Sequence, residues 1–116
     1  MEIRTMTPSF RSGRDVIIRT EAFKDAVTFY TSVLQLPVSF ESPNLIGFET
    51  GSFCLYVEKG PDHGPVFEFL VKDVKEATLR LLAAGCILVE ENPELPRCYV
   101  RDPSGLTFNI RRGNAE

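Results

Sequence analysis

Few residues in this chain could do chemistry, and their types narrow it quickly. There is one histidine, His63, and three cysteines, Cys54, Cys86 and Cys98. A lone imidazole can act as a general base or a metal ligand when a partner places it. His63 sits in Lys59-Gly60-Pro61-Asp62-His63-Gly64-Pro65, a run of breakers and polar residues, so a solvated loop position is expected for it. The cysteines are odd in number and lack Cys-x-x-Cys spacing, which argues for reduced thiols and against a disulfide framework or zinc knuckle. Nothing near Cys54 in sequence would lower its pKa, so no nucleophile is assigned to it. The remaining candidates are polar residues on strands. Asp102-Pro103-Ser104-Gly105 reads as a tight turn that sets the register of the strand after it. Alternation then turns Thr107, Asn109 and Arg111 to one face and Leu106, Phe108 and Ile110 to the other. A polar strand face in a small domain is either wet surface or pocket wall.

The elements that position these residues follow from periodicity. Asp15 to Thr20 alternates as a strand, with Asp15, Ile17 and Arg19 sharing a face. Phe23, Ala26, Val27, Tyr30, Val33 and Leu34 fall at helical spacing, and Pro37 requires that helix to end by Leu36. Strands are predicted at about 38–41, 46–50 and 53–58. After the linker 59–65 the pattern restarts with a strand at 66–71. Asp73 then caps a helix with Glu76 in the capping-box position, and Gly85 stops it. Strands follow at about 87–91, 97–101 and 106–111. Lys24-Asp25-Ala26 and Lys75-Glu76-Ala77 occupy equivalent places 51 residues apart. The chain therefore reads as a duplicated α+β domain: an irregular arm at 1–13, module one at 14–58, the linker, module two at 66–112 and a tail at 113–116.

A length of 116 residues, 43% hydrophobic and 25% charged, fits one domain. A formal charge of -3 with no basic cluster beyond Arg111-Arg112 gives no footprint for nucleic acid or an anionic membrane. Apolar runs are too short for a membrane span and residues 1–13 do not resemble a signal peptide, so a soluble cytoplasmic protein is expected.

Ala26-Val27-Thr28-Phe29-Tyr30 with Val33-Leu34-Gln35-Leu36, then Phe69-Leu70-Val71-Lys72-Asp73, then Asp102-Pro103-Ser104-Gly105, resembles the vicinal oxygen chelate superfamily. This group holds glyoxalase I, bleomycin- and fosfomycin-resistance proteins and extradiol dioxygenases. The resemblance implies two βαβββ modules forming a curved mixed sheet, or cup, with helices outside, and a homodimer. Gln35 stands where the pattern has Gly in Leu-Gly-Leu, so a left-handed turn kept there is strained by about 1 kcal/mol.

Metal-dependent members place His or Glu at four inward positions, which the resemblance carries onto Asp15, Tyr56, Val66 and Asn109. Only Asp15 is a charged ligand there. No cofactor is therefore expected; the only candidate ligands for a divalent ion are Asp15, Asn109 and His63. The inward face should also carry Ile17, Arg19, Cys54, Glu68, Leu70, Arg97, Tyr99 and Thr107. By resemblance, Arg19 falls at a carboxylate contact of glyoxalase I and Tyr99 at a ligand contact of the fosfomycin-resistance enzymes. Asp15 and Glu68 balance Arg19 and Arg97 in charge, so these arginines either pair internally or grip an anionic ligand. Phe67, Phe69 and Phe108 should pack under the helices, while Phe40, Phe48 and Phe53 fit either face.

The resulting expectation is a metal-free protein that sequesters a small organic ligand with an anionic or polar end, in the manner of antibiotic-resistance relatives. Ligand contacts are expected from Asp15, Arg19, Tyr56, Glu68, Arg97, Tyr99 and Asn109. The alternative is a metal-dependent enzyme of the lactoylglutathione lyase, dioxygenase or thiol-transferase type. A third reading is an interaction module whose cup is filled by its own side chains.

Overall fold

The structure, a computed structural model, describes residues 10–113. The expected arm at 1–13 falls within it only from Phe10, and the expected tail only at Gly113. The strands are β1 (Arg11–Ser12), β2 (Asp15–Thr20), β3 (Val38–Ser42), β4 (Leu45–Glu49), β5 (Cys54–Lys59), β6 (His63–Val71), β7 (Ile87–Asn92), β8 (Arg97–Arg101) and β9 (Thr107–Arg112). The helices are α1 (Phe23–Thr28) and α2 (Val74–Ala83). Each predicted βαβββ module is present, as β2-α1-β3-β4-β5 and β6-α2-β7-β8-β9. The class is α+β, as the periodicity predicts. Neither helix is long and apolar enough to cross a membrane.

The described residues divide into two compact units: 14–68, and 10–13 with 69–113. In the first, the strand order is β3-β4-β5-β2-β6. β2 and β5 run parallel, while β3, β4 and β5 form antiparallel neighbours. Ile46, Phe48, Leu55 and Val57 form the core, with Val16 and Ile18 of β2 and Phe23, Ala26, Val27 and Tyr30 packed on it. Alternation explains this division: the even residues of β2 and odd residues of β5 lie against α1, which leaves Asp15, Ile17, Arg19, Cys54, Tyr56 and Glu58 on the other face. In the second unit, β9, β8 and β7 are antiparallel neighbours and β1 pairs with the end of β6. Val71, Ala77, Cys98, Val100, Phe108 and Ile110 form its core beneath α2, with Phe69 partly buried against them.

Three expectations need correction. The first helix is α-helical only to Thr28; residues Phe29–Val33 form one π-helical turn, closed by the Leu34 N–H on the Phe29 carbonyl at 3.1 Å. β6 begins at His63, inside the expected loop, because Gly64 lets the strand pass close to β2: a Cβ there would stand 2.7 Å from the Ile17 carbonyl oxygen. Phe67 is exposed, since the core under α1 draws on β2, β4 and β5 and stops short of this part of β6. Phe48 is fully buried, whereas Phe40 and Phe53 are exposed.

Two turn devices match the sequence closely. Gln35 does adopt the left-handed region, with φ 54°. Asp73 caps α2 by accepting the Glu76 N–H at 3.0 Å, and Gly85 ends that helix with φ 100°.

Candidate functional site

In the Arg14–Glu68 unit, the parallel register sets Asp15 beside Cys54, Ile17 beside Tyr56, and Arg19 beside Glu58. Antiparallel pairing on the other side of β5 sets Gly47 opposite Tyr56. The Tyr56 ring lies over Gly47: a Cβ at that glycine would be 2.8 Å from Cε1 and 3.2 Å from Ser39 Oγ. Ser39 Oγ is in turn 3.5 Å from Cys54 Sγ, and the Phe40 ring centroid is 6.4 Å from that of Tyr56. The Tyr56 ring and the Ser39 hydroxyl thus lie over a residue with no side chain, with the Cys54 thiol beside that hydroxyl and the Phe40 ring beside Tyr56. Burial pushes the Tyr56 phenol pKa up, and the negative charge of Asp15, then Cys54 and Glu68, adds to the rise. The phenol is therefore a neutral hydrogen-bonding group at physiological pH. Glu68 is buried at 5% exposure, and Asp15 is half-buried.

Arg19 Nε donates to Glu58 Oε1 at 2.9 Å, with both side chains largely buried. This partner is neither of the two carboxylates, Asp15 and Glu68, that the sequence put forward for the inward arginines. The alternation Cys54, Tyr56, Glu58 carried the signal for Glu58, but nothing local shows that β5 is the parallel neighbour of β2. The stem of Arg19 packs on Gly60, where a Cβ would be 2.9 Å from its Cδ. His63 pairs in register with Arg19 and is half-buried. It is therefore a strand residue instead of the solvated loop residue expected.

In the second unit, Tyr99 pairs with Asn109 and Arg101 with Thr107. Tyr99 and Asn109 are buried, at 1% and 5% exposure. The Asn109 amide oxygen accepts the Cys98 N–H at 2.8 Å. Arg97 Nη1 donates to Glu90 Oε2 at 3.0 Å, and its guanidinium lies 4.9 Å from the Tyr99 ring centroid. Glu90, like Glu58, Ser39 and Gly47, escapes prediction from the sequence. The register shift between Leu88 and Glu90 is what sets Glu90 opposite Tyr99.

The donors at the positions implied by resemblance do not fit a divalent centre. Val66 is 1% exposed and has no donor atom; the Tyr56 phenol is held protonated; the Asn109 oxygen is engaged by a backbone N–H. Asp15 remains as the one carboxylate among them. Among the described residues, no three His, Cys, Asp or Glu side chains stand together so as to hold a metal ion. One carboxylate gives such an ion too little in place of its water shell.

The fold is that of the glyoxalase, bleomycin-resistance and dioxygenase superfamily. A variant of homoprotocatechuate 2,3-dioxygenase from Brevibacterium fuscum, solved with HPCA, has TM-score 0.68 and 21% identity over 93% of this chain and 34% of that one. A superfamily member from Vibrio splendidus has TM-score 0.66 and 16% identity, covering 90% of this chain and 99% of that one. A hypothetical protein from Bacillus halodurans has TM-score 0.64 and 14% identity, covering 94% and 99%. The chain thus spans only 34% of the length of the dioxygenase chain. No curated protein matches the sequence. The family model for the glyoxalase-like domain matches residues 15–111, and the chain belongs to that family.

Proposed function

We propose that this chain is a metal-free small-molecule-binding protein that sequesters an organic ligand with a polar end, working as a cytoplasmic homodimer. The observation that carries the reading is the chemistry at the metal-ligand positions of the resemblance. A protonated phenol at Tyr56 and an aliphatic side chain at Val66 stand where a divalent centre needs imidazole or carboxylate. What the face around Tyr56 offers instead is a planar aromatic wall and the Ser39 hydroxyl over the bare backbone of Gly47, with the Cys54 thiol 3.5 Å from that hydroxyl. Such a wall takes a flat organic body and hydrogen-bonds its polar edge.

Because Arg19 and Arg97 each hold an internal carboxylate, the ligand's polar end is better a neutral group than an anion. A thermal-shift screen tests this with small phenols and aromatic amides, aromatic carboxylates, and Mn²⁺, Ni²⁺ and Zn²⁺ salts. A ligand at about 100 times its Kd adds roughly 2.7 kcal/mol of stability. The expected hits are neutral polar aromatics, and Tyr56→Ala should abolish their shift. Stabilisation by a divalent ion that Asp15→Ala removes would overturn the reading in favour of a metal-dependent enzyme.

A further inference from the structure

We infer that Gly47 is the positioning residue of the face around Tyr56: having no side chain, it lets the Tyr56 ring lie down across β4, and the face thereby selects flat ligands over saturated ones. The inference rests on the small-molecule binding proposed above and names the ligand shape that face takes.

Gly47 lies in the middle of β4, and the left-handed glycines of the chain are at 51, 60, 64, 85 and 105. Backbone conformation therefore does not call for glycine at 47, and a glycine inside a strand weakens it. Space is the reason that is left. Strand pairing sets Phe40 opposite Gly47 and Gly47 opposite Tyr56, so the three share one row and one face across β3, β4 and β5. Strands two places apart in a sheet stand roughly 9.5 Å from each other, yet the Phe40 and Tyr56 ring centroids are 6.4 Å apart. The two rings lean together over the glycine between them. The register shift between Val38 and Phe40 makes Ser39 the extra residue of β3 and brings its hydroxyl over the same backbone, 3.2 Å from where a Gly47 Cβ would be. Gly47 is buried as a result.

A methyl group at 47 has no room under this ring. Its carbon would stand 2.8 Å from Tyr56 Cε1 and 3.1 Å from Cδ1, where carbon atoms pack at about 3.5–4.0 Å. The ring must then lift off the sheet and part from Phe40. Burial is the largest cause of the raised phenol pKa, so a lifted phenol titrates lower. A ring laid over the backbone leaves its opposite face for a ligand, and an aromatic face favours another ring over a saturated body.

The test takes two readings on wild type and Gly47→Ala. The first needs no ligand: ¹³C NMR of the tyrosine-labelled full chain follows phenol titration, with Tyr56 assigned through Tyr56→Phe. The wild-type Tyr56 midpoint is expected above about 10 and should fall toward that value in Gly47→Ala. The second is a titration with benzamide and cyclohexanecarboxamide, which share a polar group and differ in flatness. Wild type should favour benzamide about fivefold, and the variant should bind the two within about twofold of each other. A cross-peak between Gly47 Hα and the Tyr56 ring protons is expected in wild type, and its absence would overturn the inference even if the variant does not fold. So would an unchanged Tyr56 midpoint in folded Gly47→Ala, or a preference for benzamide that this variant keeps. Binding of neither amide to wild type would overturn the ligand selection together with the function proposed above, while a falling midpoint would still uphold the placement of the ring by Gly47, so the two failures read differently.

Discussion

If Arg19 is committed to Glu58, removing either partner should cost the other a charge-assisted hydrogen bond in a largely covered place. The two side chains retain 17% and 20% of their exposure, and Nε meets Oε1 at 2.9 Å. Breaking a fully buried pair costs about 3–5 kcal/mol, and an exposed pair is worth about 0.2–1 kcal/mol. With roughly four fifths of each side chain covered, Glu58→Gln and Arg19→Met should each cost about 2 kcal/mol. That corresponds to a fall in Tm on the order of 8 °C for a domain of this size. The double variant should cost much less than the two single losses together, with a coupling energy of about 1–2 kcal/mol. Urea denaturation of the four proteins measures it. Repeating the cycle at about 0.5 M NaCl adds a control, because salt screens exposed pairs far more than covered ones. A coupling within about 0.3 kcal/mol of zero would refute the assignment and return Arg19 to the pool of groups able to grip an anionic ligand.

Gln35, at φ 54°, should tolerate Gly with a gain of about 0.5 kcal/mol once the added chain entropy of the unfolded state is subtracted, whereas Val there should lose about 1 kcal/mol. Chemical denaturation ranks the three. Gly64→Ala should destabilise by about 3 kcal/mol, combining a φ of 105° with a Cβ 2.7 Å from the Ile17 carbonyl oxygen, and the same assay reads it. The Asp102 carboxylate accepts from Ser104 Oγ at 2.6 Å and from the Leu106 N–H at 3.0 Å, which holds its pKa below the usual value, the Ser104 hydroxyl contributing most. Its stabilisation is therefore present above about pH 4 and lost as pH falls through the depressed value. The protection factor of the Leu106 amide, its exchange corrected for the intrinsic pH dependence, should fall on acidification, and Asp102→Asn should flatten that dependence.

The local devices were legible because each depends on residues close in sequence. Asp73 with Glu76, Gly85 and the Asp102-Pro103-Ser104-Gly105 turn follow from capping and turn chemistry alone, whereas the left-handed turn at Gln35 is implied only by the resemblance. Alternation also grouped the correct faces: Asp15, Ile17 and Arg19 on β2, and Thr107 with Asn109 on β9. What could not be read was the identity of strand neighbours. Glu58 reaches Arg19 across 39 residues because β2 and β5 are parallel partners, and Glu90 reaches Arg97 across a shifted register. Gly47 carries no period at all; only the pairing of β4 with β5 shows that it is the floor beneath Tyr56. His63 reads as a loop residue from its Gly and Pro neighbours, and only the close backbone approach of β2 makes it the first residue of β6.

Calorimetric titration of extensively dialysed protein with Mn²⁺, Ni²⁺ and Zn²⁺ bears most directly on the proposed metal-free function. A carboxylate accompanied by a protonated phenol, a valine and an engaged amide should bind each ion no more tightly than about 1 mM, with no change in Asp15→Ala. A Kd at or below about 1 μM for any of them, lost in that variant, would contradict the account.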